Sequence, residues 1–234
     1  MTVQAEVAAV AAANNPVPPS RLGLRYNASG FLPEAGNTVV CHLDRSNPAH
    51  KAVLAARAAI QALPGAENLL FTHEDSLHMT IFEGVIETRR SPDAWPDGMD
   101  VMAPVEEISL KLKDRLTGFT PPPAFQVSLT ALRPGGLNLD GATQADRKAM
   151  RAWRDALTGP FGFRHSNHDT YRFHMTFAYI LDWLPDDLVP AWEEALQTIQ
   201  DDLIRAAPVI PLVPPAFCSF ADMNAFPEIL VLGN

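Results

Sequence analysis

The tripeptide His-Met-Thr occurs twice in this chain, each time inside a short apolar run. The first run reads LHMTIF and contains His78, and the second reads FHMTFA and contains His174. Apolar and β-branched residues of this kind are typical of β-strands. A chain that carries the same strand twice is therefore expected to fold into two related halves.

The segments that precede the two copies support this interpretation. Residues 38–84 and 125–180 both predict a strand, a helix, a loop and then the strand that carries His-Met-Thr. This shared order predicts an internal repeat whose halves are related by a pseudo-twofold axis. A sheet must bury at least one face, so each half is expected to be α+β, with strands on one side and helices packed on the other.

The repeat also sets the expected domain boundaries. Residues 1–37 contain several Pro, Asn and Gly residues, which predict an extended N-terminal arm. The regular fold is then a single two-lobed domain over 38–234, with the first lobe at about 38–124 and the second at about 125–234. Turns are predicted at Gly135-Gly136 and Asp140-Gly141.

The alternation of side chains along a strand decides which residues of each motif share a face. His78 and Thr80 point to one face, while Leu77, Met79 and Ile81 point to the other. The second copy repeats this pattern, with His174 and Thr176 on one face. If the two lobes face each other, the two imidazoles and two hydroxyls line one shared cleft.

Two imidazoles that face one ligand are suited to moving protons on both sides of a reacting centre. The ordinary imidazole pKa is about 6.5, so one ring can act as a general base and the other as a general acid. Phosphodiester cleavage needs both, because a water or hydroxyl loses a proton and the leaving oxygen gains one. The Thr hydroxyls can donate to the non-bridging phosphate oxygens, and no metal is required.

These residues resemble the two-histidine (2H) phosphoesterase superfamily, which includes bacterial 2'-5' RNA ligase-like proteins and cyclic phosphodiesterases. The specific similarity lies in His78-Met79-Thr80-Ile81 and His174-Met175-Thr176-Phe177, within an order of elements that spans about 38–232. The resemblance implies a bilobal α+β fold with antiparallel sheets along a central cleft and helices outside. It implies action on a 2',3'-cyclic or 2'-linked phosphodiester, with His78 and His174 as acid and base and Thr80 and Thr176 binding phosphate. Hydrolysis and ligation both remain open, and the N-terminal arm and the insert at about 86–123 resemble an uncharacterised bacterial branch.

Other side chains are candidate substrate contacts, each with a structural alternative. Arg172 shares the strand face of His174 and can pair with a phosphate, or it can form a surface ion pair. Phe82 shares the face of His78 and can stack on a base, or it can belong to the core. The polar face of the strand at 125–132 would lie beside the second motif if the repeat holds, and it offers Gln126, Ser128 and Thr130. Tyr171 and Tyr179 fall on the opposite face and are expected to pack.

Two other functions remain possible from the sequence. A metal-dependent hydrolase could use the His-x-x-His spacing of His165 and His168 with Asp75 or Asp169 as oxygen ligands. Alternatively, the cleft could hold a phosphorylated metabolite without cleaving it. Such a binding module would lose affinity steadily as the imidazoles lose their charge, whereas an acid and base pair predicts a bell-shaped pH profile.

Composition limits the partners. The net charge of −9, from 18 Lys and Arg against 27 Asp and Glu, offers no basic surface for a long nucleic acid. A small nucleotide-like anion held by local donors remains compatible with it. No apolar run is long enough for a membrane span and no basic leader is present, so a cytoplasmic protein is expected. A monomer without a cofactor is also expected. The two cysteines, Cys41 and Cys218, lie in apolar contexts that favour buried free thiols over a disulfide.

Overall fold

The computed structural model describes residues 2–233, which form an α+β fold. The α-helices within this range are α1 (Val3–Ala8), α2 (His50–Gln61), α3 (Val105–Leu116), α4 (Gln144–Phe161) and α5 (Val189–Ala206). The strands are β1 (Tyr26–Asn27), β2 (Gly30–Phe31), β3 (Gly36–His42), β4 (Leu69–Phe71), β5 (His78–Ile86), β6 (Val127–Arg133), β7 (Gly136–Gly141), β8 (His174–Thr176), β9 (Ala178–Ile180), β10 (Ala216–Phe220) and β11 (Glu228–Val231).

The main sheet has seven strands in the order β11-β10-β3-β5-β8-β7-β6, and every neighbouring pair is antiparallel. The antiparallel α+β prediction is therefore confirmed. The two strands that carry His-Met-Thr, β5 and β8, are neighbours near the middle of the sheet and are called the motif strands below. They pair through Met79 and Met175, where the four-stranded part of the sheet meets the three-stranded part.

The apolar face of the motif strands holds the sheet against the helices. Met79 and Met175 are fully buried in the main core, together with the apolar face of α3. That helix buries Val105, Ile108 and Leu112 at the spacing of one helical face, as its sequence predicts. Cys41 and Cys218 are also buried and unpaired, in agreement with their apolar sequence contexts.

The first 37 residues contain more regular structure than the extended arm that their sequence predicts. Helix α1 buries Val3 and Val7, which are four residues apart and so lie on one face. Strands β1 and β2 then form a small antiparallel hairpin. The segment thus contributes to the core and brings Arg25 to the same cavity as His78 and His174.

Strand β7 occupies most of the region in which the sequence predicts two turns. The turn after β6 lies at Pro134 and Gly135, whereas Gly136, Asp140 and Gly141 belong to the strand between β6 and β8. Gly136 has φ +145, and a Cβ atom there would lie 2.1 Å from the carbonyl oxygen of Met175. Glycine is required at this position because β7 must approach the second motif strand closely.

Candidate active site

The two His-Met-Thr motifs meet in one cavity on the face of the sheet opposite Met79 and Met175. An antiparallel register that pairs Met79 with Met175 sets His78 beside Thr176 and Thr80 beside His174. All four of these side chains line a cavity of about 180 Å³, here called the histidine cavity. The register therefore relates the two motifs by a local twofold axis, as the repeat in the sequence predicts.

Each histidine is oriented by a backbone carbonyl two residues earlier in the chain. Nδ1 of His78 lies 2.6 Å from the carbonyl oxygen of Ser76, and Nδ1 of His174 lies 2.9 Å from that of Arg172. A carbonyl oxygen can only accept a hydrogen bond, so Nδ1 is the nitrogen that carries the proton and donates in both rings. Nε2 of each neutral ring is then left with a lone pair for proton transfer.

The surroundings of His78 strongly disfavour its charged form. Burial lowers the pKa of His78 to about 4, with further lowering by His42 and His174, although the hydrogen bond to Ser76 opposes the shift. The ring packs against Phe226 with 4.1 Å between the ring centroids. An imidazole in this environment is neutral at pH 7 and can accept a proton.

The surroundings of His174 lower its pKa on balance. Burial and the guanidinium of Arg133 lower it, and the hydrogen bond to Arg172 and the carboxylate of Glu83 oppose this only in part. Arg133 is itself largely buried next to the carboxylate of Glu6 and the two tyrosines of the cavity. His174 therefore has a carboxylate among its neighbours that favours the protonated ring.

Tyr171 and Tyr179 also line the cavity, contrary to the packing role that their strand positions predict. The chain bends at Phe177 between β8 and β9, so the alternation of faces does not continue from His174 to Tyr179. Burial raises the pKa of Tyr171, and its hydroxyl forms a hydrogen bond with Thr80. Both phenols remain protonated at neutral pH and can donate hydrogen bonds into the cavity.

The N-terminal segment supplies a cation that sequence analysis missed. Arg25 lines the histidine cavity, where its guanidinium contacts the carboxylate of Glu34 and the hydroxyl of Tyr179. Glu34 is 1% exposed, so the pair is sheltered from water. Nothing in the local sequence distinguishes Arg25 from a surface arginine, because its position depends on how the N-terminal segment folds over the sheet.

Phe82 lies in the core and does not reach the cavity, although its predicted strand face is that of His78. The register of β5 against β3 shifts between Thr80 and Phe82, which is the signature of a β-bulge. The extra residue turns Phe82 inward, where it packs on Phe161 and is fully buried. Glu83 takes the place on the cavity wall.

Glu83 is an anionic residue of this wall. Burial by itself raises the pKa of Glu83, but Arg89, His165 and Arg25 lower it by more. The net effect is a lowered pKa, so the carboxylate stays ionised. The ion pair to Arg89 has a nitrogen to oxygen distance of 2.6 Å. The cavity thus contains one ionised carboxylate beside its histidines, and a bound phosphate must be compensated by nearby donors.

The remaining predicted contacts lie outside the histidine cavity. Strand β7 separates β6 from β8, so Gln126, Ser128 and Thr130 do not lie beside the second motif. Gln126 and Thr130 are exposed, and the Thr130 hydroxyl donates to the carbonyl of Asn138. Arg172 is exposed and lines a neighbouring groove. The prediction that these four residues contact a ligand between the histidines is not supported by their positions.

The residues of the metal hypothesis do not form a common site. Nε2 of His165 lies 2.6 Å from the carbonyl oxygen of Glu83, while Nε2 of His168 lies 2.9 Å from Oδ1 of Asp155. Asp75 pairs with Arg45 elsewhere on the surface. Within residues 2–233, no three His, Cys, Asp or Glu side chains are close enough together to hold a metal ion.

Comparisons with known proteins identify a matching family and a matching structure. Residues 25–138 match the family 2H-phosphodiest, described as a domain of unknown function (DUF1868). A conserved protein of unknown function from Agrobacterium tumefaciens, whose crystal structure is known, has 42% sequence identity to this chain. It superimposes with a TM-score of 0.94 over 97% of this chain and 98% of that protein. No curated protein matches the chain, and none of the helices within residues 2–233 is long and apolar enough to cross a membrane.

Proposed function

Because this chain belongs to the 2H phosphodiesterase family (DUF1868), we propose that it cleaves a phosphodiester by acid and base catalysis between His78 and His174. The observation that carries the proposal is the Met79 to Met175 register, which brings both motifs into one cavity. Each ring donates through Nδ1 to a backbone carbonyl and so keeps Nε2 for the reaction. No metal ion takes part in the proposed mechanism.

The proposed reaction is a hydrolysis in which one histidine acts as the general base and the other as the general acid. One histidine removes a proton from water through Nε2 while the water oxygen attacks phosphorus. The bond between phosphorus and the leaving oxygen breaks, and the other histidine donates its proton to that oxygen. The product is a phosphomonoester with a free hydroxyl. A proton must then move between the histidines or through solvent before the next turnover.

Thr80 and Thr176 are proposed to hold the phosphate during this reaction. Each hydroxyl lies on the same strand face as its histidine and beside the histidine of the opposite strand. A hydroxyl donor on each side of phosphorus can bond one non-bridging oxygen and stabilise the negative charge that develops there. This arrangement binds the transition state more strongly than the substrate, which is the condition for catalysis.

The proposed substrate is a 2',3'-cyclic or 2'-linked phosphodiester of a small nucleotide or an RNA end. A cavity of about 180 Å³ lies below the usual size of a ligand pocket, which supports a small phosphodiester over a bulky one. Phe226 and the two tyrosines of its wall offer aromatic surface for a ribose or base. The net charge of −9 supports a short substrate rather than a long polyanion.

The test is hydrolysis of a panel of 2',3'-cyclic nucleotides and 2'-5' dinucleotides in the presence of excess EDTA. We expect activity to persist in EDTA and to fall by about 10²-fold or more in both His78→Ala and His174→Ala, as for the loss of a general acid or base. His73→Ala is the matched control, since the His73 side chain is 66% exposed and lies outside the cavity.

Three results would contradict this proposal in different ways. Loss of activity in EDTA, with recovery on adding a divalent cation, would favour the metal-dependent hydrolase. An unchanged rate in either histidine variant would remove the acid and base mechanism. If the panel is bound but not turned over, and affinity falls steadily with rising pH, the chain is a binding module.

A further inference from the structure

A second concave surface adjoins the histidine cavity and is lined by arginines. It encloses about 420 Å³, and its cationic residues are Arg147, Arg151, Arg154 and Arg172. This surface is called the arginine groove below. The chain as a whole has a net charge of −9, which does not attract anions. Four arginines in one groove form a local positive charge that differs from this net charge.

Three of these arginines donate hydrogen bonds to neutral carbonyl groups. Arg147 donates to the carbonyl oxygen of Gly141 at 2.9 Å, and Arg151 donates to that of Arg147 at 3.3 Å. Arg154 donates to the carbonyl oxygen of Ile81 at 2.6 Å. Within residues 2–233, no ion pair joins Arg147, Arg151 or Arg154 to a carboxylate. Asp155 and Glu83 act on Arg154, and Asp146 acts on Arg147, only at longer range.

Two buried polar atoms of the groove also lack partners. Arg154 is 2% exposed, and its Nη2 has no hydrogen-bond partner within the described residues. His168 is 5% exposed, and its Nδ1 is likewise unpartnered. His168 donates through Nε2 to Asp155, so Nδ1 of its neutral ring is an acceptor and does not itself call for an anion. Nη2 of Arg154 is a donor, and a buried donor without a partner is costly, so a ligand with acceptor oxygens would satisfy it. This observation points to an anionic ligand independently of the count of arginines.

The acidic residues of the groove do not cancel this charge. Asp140 and Asp169 also line it. Asp169 pairs with Arg164, at 2.6 Å, and Asp140 accepts a hydrogen bond from the backbone N–H of Gly141. The groove retains an excess of cations over these two carboxylates, and the planar guanidinium groups match the oxygens of a phosphate.

Tyr171 connects the groove to the histidine cavity, because its side chain lines both. Its ring lies under the guanidinium of Arg154, with 4.0 Å from Cζ to the ring centroid, and its hydroxyl bonds Thr80. The backbone of the neighbouring Arg172 holds Nδ1 of His174. A ligand that occupies the cavity on the His174 side can therefore extend past Tyr171 into the groove.

We propose that the arginine groove binds a second phosphate group of the substrate, while the first phosphate reacts between the two histidines. This inference rests on the proposed function for the identity of the substrate. It narrows the substrate class to nucleotides that carry at least two phosphates, such as a 5'-phosphorylated cyclic nucleotide or a short RNA end. A nucleotide with a single cyclic phosphate would leave the groove empty.

The first test measures binding without turnover. Uridine 3',5'-bisphosphate and uridine 3'-monophosphate are titrated into the wild-type protein by calorimetry. We expect the bisphosphate to bind at least about tenfold more tightly, as for one added charge-assisted contact. We expect Arg151→Gln or Arg172→Gln, both at exposed positions, to remove most of this preference. Arg205→Gln, which removes the same charge from a 75% exposed side chain on α5, should retain it.

Three outcomes of this titration would overturn the inference. Equal affinity for the two nucleotides would exclude a second phosphate site. A preference that survives both groove substitutions would place the second phosphate elsewhere. Inorganic phosphate that binds as tightly as the bisphosphate, and depends equally on Arg151, would make the groove a site for a free anion.

The second test compares turnover and separates this inference from the proposed function. The ratio of kcat/KM for a 5'-phosphorylated 2',3'-cyclic nucleotide to that for the unphosphorylated form should exceed about 10 in wild type and approach 1 in Arg151→Gln. If neither substrate is cleaved but the bisphosphate preference persists in the titration, the groove stands and the proposed function fails. If both are cleaved with a ratio near 1, the groove assignment fails and the proposed function stands.

Discussion

The two motif strands share one local geometry but have different surroundings. In both, a histidine donates through Nδ1 to the carbonyl two residues earlier, and a threonine follows on the same face. Strand β5 has nine residues and lies deep in the sheet, whereas β8 has three and is followed by a bend. The repeat thus supplies matched positions for proton transfer, and the different residues around the two motifs make these positions unequal.

The inequality concerns which histidine holds a proton. Burial, with two other imidazoles nearby, lowers the pKa of His78 to about 4. Burial and Arg133 also lower the pKa of His174, but by less, because the carboxylate of Glu83 favours its charged form. We therefore expect His78 to be the general base and His174 to be the general acid, and the following experiments can break or sharpen this assignment.

The largest expected effect separates acid from base by the leaving group. A 4-nitrophenyl phosphodiester has a leaving oxygen that needs no protonation, so loss of the general acid matters little for it. We expect His174→Ala to lose about 10²-fold or more on a 2',3'-cyclic nucleotide but to retain most of its rate on the 4-nitrophenyl ester. His78→Ala should lose about 10²-fold or more on both. Steady-state kinetics on the two substrates measure this, and the reverse pattern would exchange the two roles.

A smaller effect is expected from replacing the threonines. These variants test whether Thr80 and Thr176 contribute equally to binding the phosphate. Thr80→Val and Thr176→Val keep the side-chain shape and remove the donor, and each should lower kcat by about 10 to 10²-fold. Thr80→Ser and Thr176→Ser are the matched controls and should restore most of the rate. Thr80 also bonds Tyr171, so Tyr171→Phe should disturb the Thr80 side alone. A normal rate in both valine variants would mean that the phosphate is held by other groups.

The motif strands themselves are the part of the site that the sequence predicts well. Strand alternation places His78 with Thr80 and His174 with Thr176, and the structure has both pairs on one cavity wall. The prediction fails at Phe82, where a β-bulge reverses the alternation. The bulge arises from the pairing of β5 with β3, so it cannot be predicted from the sequence of β5 alone.

The other features of the site depend on long-range packing. Arg25 reaches the cavity because α1 and the β1-β2 hairpin fold onto the domain, and Pro and Asn content alone predicts only an extended segment. Strand β7 has glycines at both ends, which read as turns, although the run between them alternates Leu137 and Leu139 with polar residues. That alternation was the available signal for a strand between β6 and β8.

The smallest expected effect is on stability, and it measures the environment of His78 without any substrate. The pKa of His78 is about 4 in the folded protein and about 6.5 in an unfolded chain, so the unfolded state binds the proton more readily. The contribution of the neutral ring is complete above pH 6.5 and is lost as the pH falls toward 4. Between pH 6.5 and pH 5, the wild type should therefore lose about 1 to 2 kcal/mol more unfolding free energy than His78→Gln, which cannot titrate. Urea unfolding at the two pH values measures this difference, with His73→Gln as the control for removing an exposed imidazole. Parallel losses in wild type and His78→Gln would show that the His78 ring is well solvated, and the assignment of His78 as the base would lose its physical support.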